Sequence, residues 1–161
     1  MAVTADGQHI ISGSADKLVK VWSVASKSLV STCEGHTDEE VDEVLSVAAM
    51  PDSQRILSGA GDGTVRVSLL DGTLKNTFKL HNNQVLALVA MSDNQHALSA
   101  SYDETVKLFN VNDGAVLRTF KHYTGAVERL ALLPDGRRFV AMTEHGTTII
   151  AHHGLAPQGR H

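Results

Sequence analysis

The amino-acid sequence predicts an all-β protein made of about four copies of one four-stranded antiparallel unit. Three observations carry that prediction. Markers recur along the 161-residue chain at steps of 46, 41 and 42 residues. Within a unit, short runs of β-branched and apolar residues alternate with turn residues. No segment shows the 3.6-residue apolar period of a helix. A step of this length marks a repeat architecture, in which a unit cannot bury its apolar face alone and neighbours stack to bury it.

The repeat is plainest in four aligned segments. Residues 11–22 read ISGSADKLVKVW, residues 57–68 LSGAGDGTVRVS, residues 98–109 LSASYDETVKLF, and residues 140–151 a weaker VAMTEHGTTIIA. Aspartate falls at Asp16, Asp62 and Asp103, with His145 in the fourth copy. A second marker, Asp6, Asp52, Asp93 and Asp135, sits about ten residues earlier on the same steps. A third is a histidine before each later unit: His36, His81 and His122.

Taken in order, the first unit starts late. Only residues 1–4 are left for its first strand. The second unit has strand-like runs at 44–48, 55–58, 65–69 and 74–78, separated by Pro51-Asp52-Ser53, Gly61-Asp62-Gly63 and Asp71-Gly72. The third repeats this at 85–89, 97–99, 106–109 and 116–120. Connections this short cannot make parallel crossovers, so each unit is an up-and-down antiparallel sheet. The fourth ends poorly, because Pro157 stands where a last strand should run and proline removes a ladder donor. The expected organisation is an array over 1–152, in units of about 1–33, 36–79, 81–121 and 122–152, with a tail over 153–161.

Composition narrows the function classes. Hydrophobic residues make up 42% and charged residues 20%, enough to bury a core. The net charge of −4 lacks the basic surface of a nucleic-acid binder. No run of 18 apolar residues predicts a membrane span. The N-terminus lacks the basic-then-apolar layout of a secretion signal. Cys33 is the single cysteine and suits a reducing compartment. The expectation is an intracellular protein of the cytoplasm or nucleus, not secreted.

A period of 40 to 45 residues, four strands per unit, a histidine before the first strand and a tight turn bearing Asp resemble the WD40 repeat. The resemblance covers about residues 1–152 and is eroded in the fourth unit. The closing Trp-Asp pair of that family is replaced by Trp22-Ser23, Ser68-Leu69, Phe109-Asn110 and Ala151-His152. The resemblance implies a β-propeller segment, either an open arc or part of a larger ring. It also implies a side-chain network in each blade, from the histidine through a strand serine and the turn aspartate to the aromatic. Carried over, this gives Ser12, Asp16 and Trp22 in the first unit, and His36, Ser58 and Asp62 in the second. The third has His81, Ser99 and Asp103, and the fourth keeps only His122. A buried imidazole needs partners for both nitrogens and a buried carboxylate needs donors. A set that recurs once per unit reads as structural, not as a catalytic triad.

The same resemblance implies that partners bind one face of the array. Tyr102 and Glu144 precede the turn position, and Leu86 and Glu128 follow the first valine of their strands. The second unit carries an acidic insertion that includes Asp38, Glu39, Glu40, Asp42 and Glu43, which reads as a patch for a basic peptide or surface. No Cys-x-x-Cys, spaced His pair or phosphate loop is present, so neither metal nor cofactor is expected. The expected function is a non-catalytic scaffold or adaptor for other proteins. The alternative is a sensor or regulatory segment of a larger multidomain signalling protein. Four blades would leave apolar faces at both ends, and a second copy could complete a ring.

Overall fold

The computed structural model describes residues 1–34, 36, 43–121, 123–146, 148–152 and 154. Every regular element among them is a strand. The first sheet contains β1 (Ala2–Val3), β2 (His9–Gly13), β3 (Val19–Ser23) and β4 (Leu29–Cys33). The second contains β5 (Val44–Ala49), β6 (Arg55–Ala60), β7 (Thr64–Leu69) and β8 (Leu74–Lys79). The third contains β9 (Val85–Ala90), β10 (His96–Ser101), β11 (Val106–Asn110) and β12 (Val116–Phe120). The fourth contains β13 (Val127–Leu132), β14 (Arg138–Thr143) and β15 (Thr148–His152). Strands follow chain order in each sheet and all pairs are antiparallel. The last sheet has three strands among the described residues. The segment around Pro157 lies outside them. No helix among the described residues is long and apolar enough to cross a membrane.

The sheets stack face to face. Ile11, Val19 and Val21 of the first pack against Val44 and Ile56 of the second. Leu57, Val65 and Val67 of the second pack against Ala97 and Phe109 of the third. Leu98 and Leu108 of the third pack against Phe139 and Ala141 of the fourth. A central strand therefore sends neighbouring residues to different cores, Ile56 backward and Leu57 forward. Both sides must be apolar, which explains the near-continuous apolar runs. Burying one such side chain contributes about 1.5–3 kcal/mol.

The two aspartate series close the turns. In the turn between the first and second strands, Asp52 Oδ1 accepts the amides of Gln54 and Arg55, and Asp93 Oδ1 those of Gln95 and His96. Asp135 Oδ1 accepts from Arg137 and Arg138. The residue after each aspartate is left-handed: Gly7, Ser53, Asn94 and Gly136 have φ of 70°, 55°, 61° and 62°. At the other end, Lys17, Gly63, Glu104 and Gly146 follow the turn position with φ of 70°, 80°, 63° and 74°. Gly63 is also required by contact, since a Cβ there would lie 2.3 Å from the His81 carbonyl oxygen.

The first set of turns also links the sheets. The Asp6 amide donates to Ser53 Oγ at 3.1 Å, and the Asp52 amide to Asn94 Oδ1 at 2.9 Å. The next position in this series is Gly136, which has no side chain to accept the Asp93 amide. A Cβ built there meets only Ser92 Oγ, at 3.9 Å. Asparagine tolerates the left-handed conformation. Gly136→Asn is expected to add the missing bond and raise stability by about 0.5–1 kcal/mol, read from thermal and urea midpoints. Unchanged or lowered midpoints would count against the link.

Candidate protein-interaction surface

Each candidate side chain is placed by one of two devices, a buried polar cluster that holds the frame or a backbone irregularity that aims a residue at solvent. The third sheet shows the cluster complete. His81, in the loop before β9, places Nε2 2.8 Å from Ser99 Oγ on β10 and Nδ1 2.9 Å from Asp103 Oδ2 in the following turn. The Thr105 hydroxyl donates to Asp103 Oδ1 at 2.6 Å and lies 3.2 Å from His81 Nδ1. The Asn82 amide also donates to Asp103 Oδ2. Phe109 lies fully buried on β11.

Burial lowers the pKa of His81 below the ordinary 6.5, although the Asp103 charge opposes it. Burial alone would raise Asp103, but hydrogen bonds from Thr105 and the attraction of His81 hold it below 3.8. The pair is thus a neutral imidazole beside a carboxylate. Its Nδ1–H donates to Asp103, which leaves Nε2 to accept the Ser99 hydroxyl proton. Ser99 is wholly buried and His81 nearly so. No substrate carbonyl can reach that hydroxyl.

The other sheets carry parts of the cluster. In the second, His36 Nε2 lies 3.1 Å from Ser58 Oγ, and Asp62 Oδ1 accepts the Thr64 hydroxyl at 2.7 Å. Thr64 Oγ1 in turn stands 3.5 Å from His36 Nδ1. In the first sheet, Trp22 Nε1 donates to Ser12 Oγ at 3.1 Å. Asp16 is not part of that pair, contrary to the sequence expectation. It is exposed, accepts the Leu18 amide and faces Lys20 at 3.8 Å, with no imidazole described beside it. In the fourth, Ala141 replaces the serine, and Thr143 Oγ1 is buried with no partner among the described residues. His122 lies outside the described residues. Sequence reasoning missed Thr64 and Thr105. Their common place two residues after the turn aspartate is the signal that could have found them.

The solvent-facing device is a bulge in the first strand of a sheet. Register shifts leave Leu45 unpaired between Val44 and Ser46, Leu86 between Val85 and Ala87, and Glu128 between Val127 and Arg129. A bulge re-aims the extra side chain. Beside each bulge, the residue before the turn position donates its amide to the chain just ahead of the strand. Gly61 donates to the Glu43 carbonyl at 3.1 Å, Tyr102 to Gln84 at 3.0 Å, and Glu144 to Ala126 at 3.0 Å. One rim therefore gathers Leu86, Tyr102, Glu128 and Glu144, and adds Leu45, which sequence reasoning did not single out. Tyr102 is 51% exposed. Glu43, Glu104, Glu128 and Glu144 on this rim are exposed as well. Asp38, Glu39, Glu40 and Asp42 lie outside the described residues. No group of three His, Cys, Asp or Glu among the described residues could hold a metal ion.

A family model described as WD domain, G-beta repeat, matches residues 1–23, 27–67 and 72–110. The second match runs from β4 of the first sheet through β7 of the second. The third likewise runs from β8 through β11. The sequence repeat therefore straddles adjacent sheets, with the histidine loop at the join.

Two outcomes follow from the buried cluster. Asp103→Ala is expected to cost about 1–3 kcal/mol, because it strands His81 Nδ1–H and the Thr105 hydroxyl. An unchanged melting temperature would refute the assignment. The pH dependence has a fixed sign. His81 must take up a proton on unfolding, so its contribution is full above 6.5 and falls as pH drops below that value. The Asp103 contribution is full above 3.8 and is lost only as pH falls further. Melting temperature should hold level above neutrality and decline below 6.5. That first decline should be shallower in His81→Gln. Equal slopes in the two proteins would show that His81 is not its source.

Proposed function

We propose that this chain, which belongs to the WD40 repeat family, is a non-catalytic scaffold or adaptor that holds protein partners on the rim formed by its bulges and turns. The observation that carries this reading is the pairing of bulge and turn in three successive sheets. The backbone geometry is the same each time, yet the side chains it presents differ: Leu45 with Gly61, Leu86 with Tyr102, Glu128 with Glu144. A rigid frame that offers varied side chains is the usual arrangement of a binding surface. Tyr102 is the anchor, since a half-exposed tyrosine gives large contact area with a polar tip.

The burial of Ser99 and His81 supports the non-catalytic part of the reading. It is the opposite of what a nucleophile needs. The exposed carboxylates favour a basic partner. Glu43 continues them toward the acidic insertion at 38–42.

The test is a cross-linked pull-down that compares the parent chain with Tyr102→Ala and with Glu43, Glu128 and Glu144 changed together to lysine. Both variants should melt as the parent does, because exposed substitutions usually cost within about 0.5 kcal/mol. Tyr102→Ala should weaken a captured partner by about tenfold or more. The lysine variant should lose basic partners. Asp113→Lys, at the opposite end of the strands, should keep them. A partner set that survives both rim variants would rule the rim out.

A further inference from the structure

The strand ends opposite the rim carry a second series of bulges, on the outer strand of each of the first three sheets. Val30, Lys75 and Leu117 fall between paired neighbours and are left out of register. All three are exposed, and only Lys75 is charged. Lys75 borders a cavity of about 240 Å³ between the second and third sheets. Each of these two sheets has a further sheet packed on its other side.

The floor of the cavity is apolar. Val67 and Leu69 come from the forward face of β7, and Val111 from the turn after β11. The walls are polar, with Arg55 at the start of β6, Lys75 and Asn76 on β8, and Asn112 in the third-sheet turn. Arg55 Nε donates to Asp52 Oδ2 at 2.6 Å, Nη1 to Asn112 Oδ1 at 3.1 Å and Nη2 to the Asn94 carbonyl at 2.6 Å. Asn76 Nδ2 donates to the Asn112 carbonyl at 3.2 Å. Nη1, Nη2 and Asn76 Nδ2 each keep a second hydrogen. The Asn112 carboxamide nitrogen and the Lys75 ammonium make no hydrogen bond among the described residues. The carboxylates nearby are already engaged. Asp52 accepts from Arg55 and from turn amides, and Asp71, within the field of Lys75, accepts from Thr73. The walls therefore offer a surplus of donors.

The cleft between the first and second sheets lacks this set. By register, His9, Val30, Ser31 and Asp71 stand there in place of Arg55, Lys75, Asn76 and Asn112. An aliphatic side chain replaces the ammonium and a carboxylate replaces a carboxamide, so the donors are peculiar to one joint of the stack. The cavity is also closed on one side. The bond from Asn76 to Asn112 ties β8 to the turn, and two residues further on Phe78 lies against Gly114, where a Cβ would come 2.3 Å from the ring. A chain cannot run on between the sheets past these contacts, so a chain that enters must end there.

We propose that this cavity takes the free C-terminus of a partner protein. The aliphatic side chain of the last residue lies on Val67, Leu69 and Val111, and its carboxylate meets Lys75, Asn112 and the spare hydrogens of Arg55. A carboxylate accepts several hydrogen bonds and donates none, and bonds between charged groups are the stronger kind. The cavity is smaller than the roughly 300–1,000 Å³ of a small-molecule site, which suits one terminal residue. The site lies at the other end of the strands from the rim, so it does not depend on the rim's partners.

The test follows methyl NMR spectra of the full chain during titration with hexapeptides of one Gly-Ser body. One ends in leucine with a free carboxylate, one in leucine carboxamide, and one in serine with a free carboxylate. A fourth carries Asp-Leu in its middle and an amidated end. The free-acid leucine peptide should shift the methyls of Val67, Leu69 and Val111 with a Kd of about 1 mM or below, and the other three should bind at least about tenfold more weakly. Lys75→Met should weaken the leucine peptide about tenfold, and Lys75→Arg should keep it. Position 75 is exposed, so both variants should melt as the parent does. Four results would overturn the proposal. These are no shift of those methyls at several times that concentration, equal binding of acid and carboxamide, equal binding of the internal Asp-Leu peptide, or unchanged binding in Lys75→Met.

Discussion

The whole structure depends on sheets that must be buried on both faces. A sheet in the middle of the stack cannot alternate apolar and polar residues, because each face meets a neighbour. β6 and β10 accordingly run through five consecutive buried residues after their first. The outer strands β8 and β12, at the edge of each sheet, stay largely exposed. The gradient from buried inner strands to exposed outer strands follows from stacking, not from any property of single strands. Connections of a few residues then suffice, since each sheet finishes where the next begins.

The polar groups take the places that stacking leaves. With both faces apolar, hydrogen-bonding side chains gather at the strand ends, one aspartate series at each end. His81 shows why this matters to the packing. Its backbone amide donates to the Gly63 carbonyl in the second sheet at 3.1 Å, while its ring is bound by Ser99 and Asp103 in the third. The Lys107 ammonium, 2.5 Å from the Leu80 carbonyl, pins the residue before it. The loop between two sheets is thus tied to both, and the tie sets their relative position. At the opposite end, Ser53 and Asn94 make the corresponding link from their turns.

Much of this was legible in the sequence because it repeats. The period, the turn aspartates, the histidine loops and the strand runs all come from local pattern, and the strands lie within a residue or two of where the pattern puts them. Three features were not legible. The bulges at Leu45, Leu86 and Glu128 leave no mark in hydrophobic pattern, because a single extra residue inside an apolar strand looks like more strand. The bridging role of Thr64, with its hydroxyl between Asp62 and His36, went unread although its spacing from the turn aspartate is shared by Thr105. Asp16 matches the repeat in sequence, yet it sits in solvent, since a motif position gains its role only when its partners are beside it.

That last point separates the frame from the surface. A bulge and a turn amide are backbone features, and the side chains at those points carry no load in the core. They are free to differ from sheet to sheet, as Leu86 and Glu128 do, or Gly61 and Tyr102. Positions inside the stack have no such exposure, and Phe109 and Ser68, which share one register position, are both buried. Trp22 breaks the rule from the other direction. It occupies a frame position, with the register of the frame, but is exposed like a surface residue.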